Sequence, residues 1–229
     1  MKDISLIAFD ADDTLWECQT YFEAVEKEYC ELLKSYASAD EISKALFAVE
    51  TANMPLLGYG SKAFLLSLLE NAIEVSGGRL KADEVEKIIK LGKELLQLPG
   101  KPMDGVEETL KVLREIGEYH LVVFTKGELL DQENKFHRSG LKPYFDDIIV
   151  VSDKTEASYY QLCERFSINV EQLLMVGNSF RSDIEPVLKL GGWAAHIPFH
   201  TTWQHEVVEE YEHPHLLKLE YFAQLNQVL

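Results

Sequence analysis

The stretch Leu6–Trp16, L-I-A-F-D-A-D-D-T-L-W, restricts the possible folds more than any other part of the chain. Leu6, Ile7, Ala8 and Phe9 are apolar without alternation, as in a strand buried on both faces of a parallel sheet. Asp10, Asp12 and Asp13 follow at once. Carboxylates this close repel and raise one another's pKa unless a positive charge lies among them. For a hard, oxygen-only cluster a divalent cation such as Mg²⁺ is the usual solution. Ligands of open α/β sheets bind beyond the carboxyl ends of the strands, and this cluster falls there. Taken alone, D-x-D-x-T also suits a solvated acidic turn, so the remaining strand ends have to decide.

Between residues 17 and 98 the apolar spacing is helical throughout. Phe22, Val25, Tyr29, Leu32, Leu33 and Tyr36 share one face; Ser38 and Glu41 form a capping box ahead of Ile42; Ser61–Val75 is strongly apolar; and Asp83 opens a further helix. Four helices with no strand among them predict a bundle inserted after the first strand. Pro99, Gly100 and Pro102 mark the return. From there helices and short strands alternate, with strands expected at 120–124, 148–151, 173–176 and 194–197. That alternation predicts βαβ units. The fold class is therefore α/β: a Rossmann-like parallel sheet with helices on both faces (1–16 and 99–229) plus an inserted α-helical cap (17–98). The tail from Thr201 is mixed, with a helix expected near 221–228.

Composition excludes some partners. A net charge of −17 argues against nucleic acid, whose phosphates need a basic footprint, and against anionic membranes. No apolar run approaches the ~20 residues that span a bilayer, and no secretory leader is expected. Cys18, Cys30 and Cys163 are odd in number and scattered, which suits a reducing cytoplasm better than a disulfide framework or zinc knuckle. His196 and His200 have metal-ligand spacing, but Pro198 precludes a regular helix between them. The expected quaternary state is a monomer or homodimer.

Four strand ends carry polar side chains in series: Asp10 and Asp12; Thr125-Lys126-Gly127; Ser152-Asp153-Lys154; and Gly177-Asn178-Ser179 with Asp183. An aspartate nucleophile, a hydroxyl, a lysine and an acidic loop are the requirements of phosphoryl transfer through an acyl phosphate. This set resembles the haloacid dehalogenase (HAD) superfamily of hydrolases over the whole chain, with the helical segment in the place of its cap.

The resemblance implies a Mg²⁺-dependent phosphatase acting on a small phosphorylated metabolite. Asp10 is then the nucleophile, and Asp12 the acid and base that protonates the leaving oxygen and activates water. Thr125 and a neighbouring backbone N–H (Lys126, Gly127) hold the phosphoryl oxygens, and Lys154 neutralises charge beside the nucleophile. Asp10, the Asp12 carbonyl, Asn178 and Asp183 are the implied Mg²⁺ ligands. Three positions depart from the pattern: Asp13 replaces a glycine, Thr155 a proline, and Asn178 an aspartate, with the loss of a formal charge. The G-Y-G-S-K loop between two cap helices reads either as a plain helix-to-helix turn or as a loop that reaches the site, with Tyr59 or Lys62 touching substrate. The same fold also serves phosphomutases, dehalogenases and regulatory proteins without turnover.

Overall fold

The computed structural model describes residues 3–229 and divides into two compact units. The first comprises Met1–Gln19, Pro99–Lys126 and Gln132–Leu229; the second comprises Thr20–Leu98 and Gly127–Asp131. The short segment after the second strand thus groups with the helices, although it lies far from them in sequence.

The first unit is built on a six-stranded sheet in the order β3-β2-β1-β4-β5-β6. The strands are β1 (Leu6–Phe9), β2 (His120–Lys126), β3 (Asp147–Val151), β4 (Leu173–Gly177), β5 (Trp193–His196) and β6 (Leu216–Lys218), and every neighbouring pair is parallel. β1 therefore lies between β2 and β4, where the strand order reverses and a crevice opens at the carboxyl ends. Its four side chains are fully buried, as a strand covered on both faces requires. Ile7 and Phe9 pack with Val106, Leu110 and Leu113 of α5 (Val106–Ile116), Phe136 of α6 (Leu129–Ser139) and Leu225 of α9 (Leu225–Val228). Leu6 and Ala8 point the other way, toward Tyr159 and Leu162 of α7 (Glu156–Phe166) and Val187 and Leu188 of α8 (Glu185–Lys189). Helices therefore cover both faces.

β6 was not expected. It is three residues long, partly exposed and at the sheet edge, so it lacks a period-2 signature and owes its conformation to pairing with β5. The helical end of the tail is present as a 3₁₀ turn, Phe222–Gln224, leading into α9.

The second unit holds α1 (Gln19–Leu32, shared at its first residue), α2 (Ala39–Leu57), α3 (Ser61–Val75) and α4 (Ala82–Leu95). The Ser38–Glu41 capping box forms: Glu41 accepts from the Ser38 N–H at 2.9 Å, and Ser38 Oγ accepts from the Glu41 N–H at 3.4 Å. Buried Tyr29 donates to Asn71 Oδ1 at 2.6 Å, tying α1 to α3. α3 and α4 approach so closely that a Cβ on Gly92 would lie 2.6 Å from the Leu65 side chain, so that position admits only glycine. Among the described residues no helix is long and apolar enough to cross a membrane.

Candidate active site

The Asp-rich segment folds tightly because one carbonyl collects its backbone. Ala11 O accepts from the N–H groups of Thr14, Leu15 and Trp16 at 3.3, 2.8 and 3.3 Å. Closing that turn puts Asp13 in the left-handed region at φ 62°. This is a conformation that glycine adopts freely and aspartate better than most residues. Asp13 is also occupied structurally: its carboxylate accepts from the N–H groups of Cys18 and Gln19 at 2.7 and 3.0 Å, at the start of α1. Burial pushes its carboxyl up to about 7. The departure from glycine thus caps a helix.

Asp10, directly after β1, is buried beside Lys154. The ammonium donates to Asp10 Oδ1 at 2.5 Å and to Asp183 Oδ1 at 2.6 Å, and it lies 5.7 Å from the Phe124 ring centre. One cation thus serves two buried carboxylates. Burial pushes the Asp10 carboxyl up to about 7; Lys154 opposes this, while Asp183 and Asp12 add to it. Burial alone would lower the Lys154 pKa, but its two carboxylates outweigh that and hold it above the ordinary lysine value. Thr155, in the place of a proline, caps α7 by accepting from the Ser158 N–H at 3.4 Å.

Asp12 has an ammonium of its own. Lys135 Nζ lies 2.7 Å from each of its carboxylate oxygens, Trp16 Nε1 donates to Oδ1 at 2.8 Å, and Gln132 Nε2 donates to Oδ2 at 3.1 Å. Burial favours the protonated form, but Lys135 and these hydrogen bonds more than offset it, so the carboxyl lies below the usual range. Gln132 Nε2 also lies 2.8 Å from Thr125 Oγ1, so it links Asp12 to the hydroxyl at the end of β2.

The loop after β4 is shaped by its glycine. A Cβ on Gly177 would sit 2.2 Å from Asp183 Oδ2, so only glycine lets the Asp183 carboxylate turn in under the strand. Asp183 lies in a π-helical turn, Phe180–Ile184, and its Oδ2 accepts from the Ser179 N–H at 3.0 Å. Both oxygens of Asp183 are therefore engaged within the protein. Asn178 Oδ1 accepts from the Thr14 hydroxyl at 3.1 Å, and the same hydroxyl lies 3.3 Å from Asp10 Oδ2. His196 Nε2 sits 2.9 Å from the Asn178 carbonyl oxygen and supports the loop from β5.

The donor chemistry here fits Mg²⁺. Asp10 Oδ2 and Asn178 Oδ1 are hard oxygens bridged by one hydroxyl, and the buried pair of carboxylates around Lys154 carries excess negative charge. Mg²⁺ is commonly held by only one or two carboxylates with water completing its shell. Among the described residues no group of three or more His, Cys, Asp or Glu side chains is placed to hold a metal, so a Mg²⁺ shell here would depend on amide and carbonyl oxygens as well.

The other expected residues lie as follows. Lys126 pairs with Glu206 and Ser182, the latter at 2.9 Å, and faces the Trp203 ring at 5.7 Å. Gly127 has φ 141°. In the helical unit, Tyr59 is half-buried between Gly58 and Gly60, and Lys62 pairs with Glu128 at 3.1 Å.

Sequence reasoning did not single out Gln132, Lys135, Trp16 or Glu206, and it weighed His196 only as a metal ligand with His200. One signal was available on α6. Asp131, Gln132, Lys135 and Ser139 share a helical face that is buried, whereas Leu129 and Leu130 are exposed. Polar side chains at core spacing mark a helix that faces a polar site.

The family model of haloacid dehalogenase-like hydrolases matches residues 4–191. A haloacid dehalogenase-like family hydrolase from Xanthomonas campestris shares the fold at TM-score 0.86 and 35% identity, covering 95% of this chain and 87% of its own. Haloacetate dehalogenase H-2 of Moraxella sp. (strain B) is 27% identical over 185 residues, 78% of this chain and 79% of its own length. YfnB of Bacillus subtilis, a proposed HAD-hydrolase with bound magnesium, superposes at TM-score 0.65 and 16% identity, with 99% of both chains covered. With its six-stranded parallel sheet and its match over most of its length, the chain belongs to the haloacid dehalogenase-like hydrolases, a family of enzymes.

Proposed function

We propose that the protein is a phosphoric monoester hydrolase that works through an aspartyl phosphate on Asp10. The observation that carries this reading is the second carboxylate: Asp12, two residues from the nucleophile, is held by Lys135 and joined through Gln132 to Thr125. Displacing a halide has no use for such a group, whereas a phosphate ester needs a proton delivered to its leaving oxygen and later removed from water.

An oxygen of Asp10 attacks phosphorus and the ester P–O bond breaks. The leaving oxygen takes a proton from Asp12. Water then attacks the phosphoryl group, Asp12 takes its proton, phosphate departs, and the Asp10 carboxylate is restored. Lys135 keeps Asp12 ionised in the resting site, so the base half of this work is ready; the acid half requires Asp12 to be protonated in the substrate complex. Thr125 donates to a phosphoryl oxygen, and Lys154 offsets charge beside Asp10. Asp10, the Asp12 carbonyl and Asn178 would hold Mg²⁺, which would supply positive charge to the phosphoryl oxygens.

A second reading is a carbon–halogen hydrolase. Asn178, an uncharged amide where a carboxylate would favour metal, and the likeness to haloacetate dehalogenase H-2 support it. One preparation decides between them, assayed for phosphate release from an aryl phosphate and for halide release from haloacetate, each with Mg²⁺ and with EDTA. Phosphate release that EDTA abolishes and Mg²⁺ restores is expected. Halide release in EDTA with no phosphate release would reverse the assignment.

A further inference from the structure

α6 is amphipathic in the unusual sense. Leu129 and Leu130 are 58% and 55% exposed, while Gln132 and Lys135, one turn apart, are 2% and 3% exposed. Burying an ammonium and a primary amide in place of leucines is unfavourable unless each finds partners. Here the partners of the two nitrogens include the proposed reacting groups, while Gln132 Oε1 has no partner among the described residues. Lys135 Nζ reaches both Asp12 oxygens at 2.7 Å, which fixes the plane of the carboxylate as well as its place. Gln132 Nε2 lies 3.1 Å from Asp12 Oδ2 and 2.8 Å from both Thr125 Oγ1 and the Lys126 carbonyl, so its two protons are shared among three acceptors. An amide proton given to Thr125 Oγ1 occupies a lone pair and leaves the hydroxyl proton to be donated. Among the described residues that proton has only a long contact, 3.4 Å, to the Lys126 carbonyl.

We infer that Gln132 and Lys135 are positioning residues through which α6 sets the orientation of Asp12 and holds it at a fixed spacing from Thr125. The proton-transferring oxygen and the phosphoryl-holding hydroxyl then move as one body, because the same helix grips both. The kinetic part of this inference rests on the phosphatase reading; the structural part does not.

The test uses Lys135→Met and Gln132→Leu, singly and together, in the full chain, with melting temperatures to confirm folding. Substrates are an aryl phosphate, whose leaving group needs no proton, and an alkyl phosphate, whose leaving group does. Lys135→Met is expected to lower kcat on the alkyl ester about 100-fold, the lower end of general acid–base contributions, with KM nearly unchanged and a smaller loss on the aryl ester. Lys135→Arg should restore part of the loss. Gln132→Leu should in addition weaken inhibition by inorganic phosphate, since it releases Thr125. Wild-type kcat on the alkyl ester in Lys135→Met overturns the inference. If the wild type releases phosphate from neither ester, the phosphatase reading fails, and crystal structures of the variants decide the rest. The Asp12 carboxylate is expected to rotate away from Thr125 in the double variant, or in Lys135→Met should the double variant not fold; an unmoved Asp12 overturns the inference.

Discussion

The strand end carrying Asp10 and the turn carrying Asp12 are two residues apart, yet they treat the same side chain in opposite ways. Asp10 shares the single ammonium of Lys154 with Asp183, and burial pushes its carboxyl up to about 7. Asp12 is paired with Lys135 and accepts from two further donors, and its carboxyl is held below the usual range against a similar push from burial. The difference lies in the count of cations and donors around each group. It leaves Asp10 short of positive charge, on the side where Asn178 and Thr14 present oxygens.

The largest effect is expected at Asp10, the proposed nucleophile. Asp10→Asn should lower kcat on an aryl phosphate by about 10⁴-fold or more while the protein keeps its circular dichroism spectrum. Retained turnover would place the nucleophile elsewhere. The two lysines come next. Lys154→Met strands two almost fully buried carboxylates and should cost about 3–5 kcal/mol in chemical denaturation, the range for breaking a buried pair. Lys135→Met leaves Asp12 with Trp16, Gln132 and partial solvent access, and should cost about 1–3 kcal/mol. Equal costs would mean that the two environments are not distinct.

The opposed pKa directions predict opposed pH dependence of stability. The Asp10 carboxyl moves from 3.8 to about 7 on folding, so the native state binds a proton that the unfolded chain has released between those values. Its contribution is fully present below pH 3.8 and is lost as pH rises through 7. Asp12 runs the other way, with stability present above 3.8 and lost as pH falls through its depressed value. In metal-free buffer the melting temperature of the wild type should therefore fall more steeply from pH 5 to 8 than that of Asp10→Asn, by an amount equivalent to a few kcal/mol at most, about 1.4 per unit of pKa. Asp12→Asn should instead flatten the loss below pH 4. Identical slopes for wild type and Asp10→Asn would show that Asp10 is not raised.

The smallest effect is expected at Asn178. Asn178→Asp keeps the hydrogen bond from Thr14 and adds a charge, so it should lower the half-saturating Mg²⁺ concentration several-fold, about 1 kcal/mol. An unchanged Mg²⁺ titration would put Asn178 outside the metal shell.

Much of the molecule was legible in its residues because the signals were local. The uninterrupted apolar run of β1, the capping box at Ser38 and the positions of Asp10, Thr125 and Lys154 at or near strand ends all depend on neighbours within a few residues. β6 was not legible, being an edge strand that exists only through its partner. Nor was the place of Lys126: nothing near it in sequence announces Glu206, 80 positions away, as the group that takes its charge.

The sequence by itself determined which chemistry is available, since a strand that must be buried ends wherever its first carboxylates stand. Only the tertiary structure decided how that chemistry is tuned. Whether a carboxylate is a shared or an exclusive partner depends on which distant ammonium the helices bring to it. Coulomb interactions in a poorly solvated site follow distance in space, and chain order carries no record of that distance.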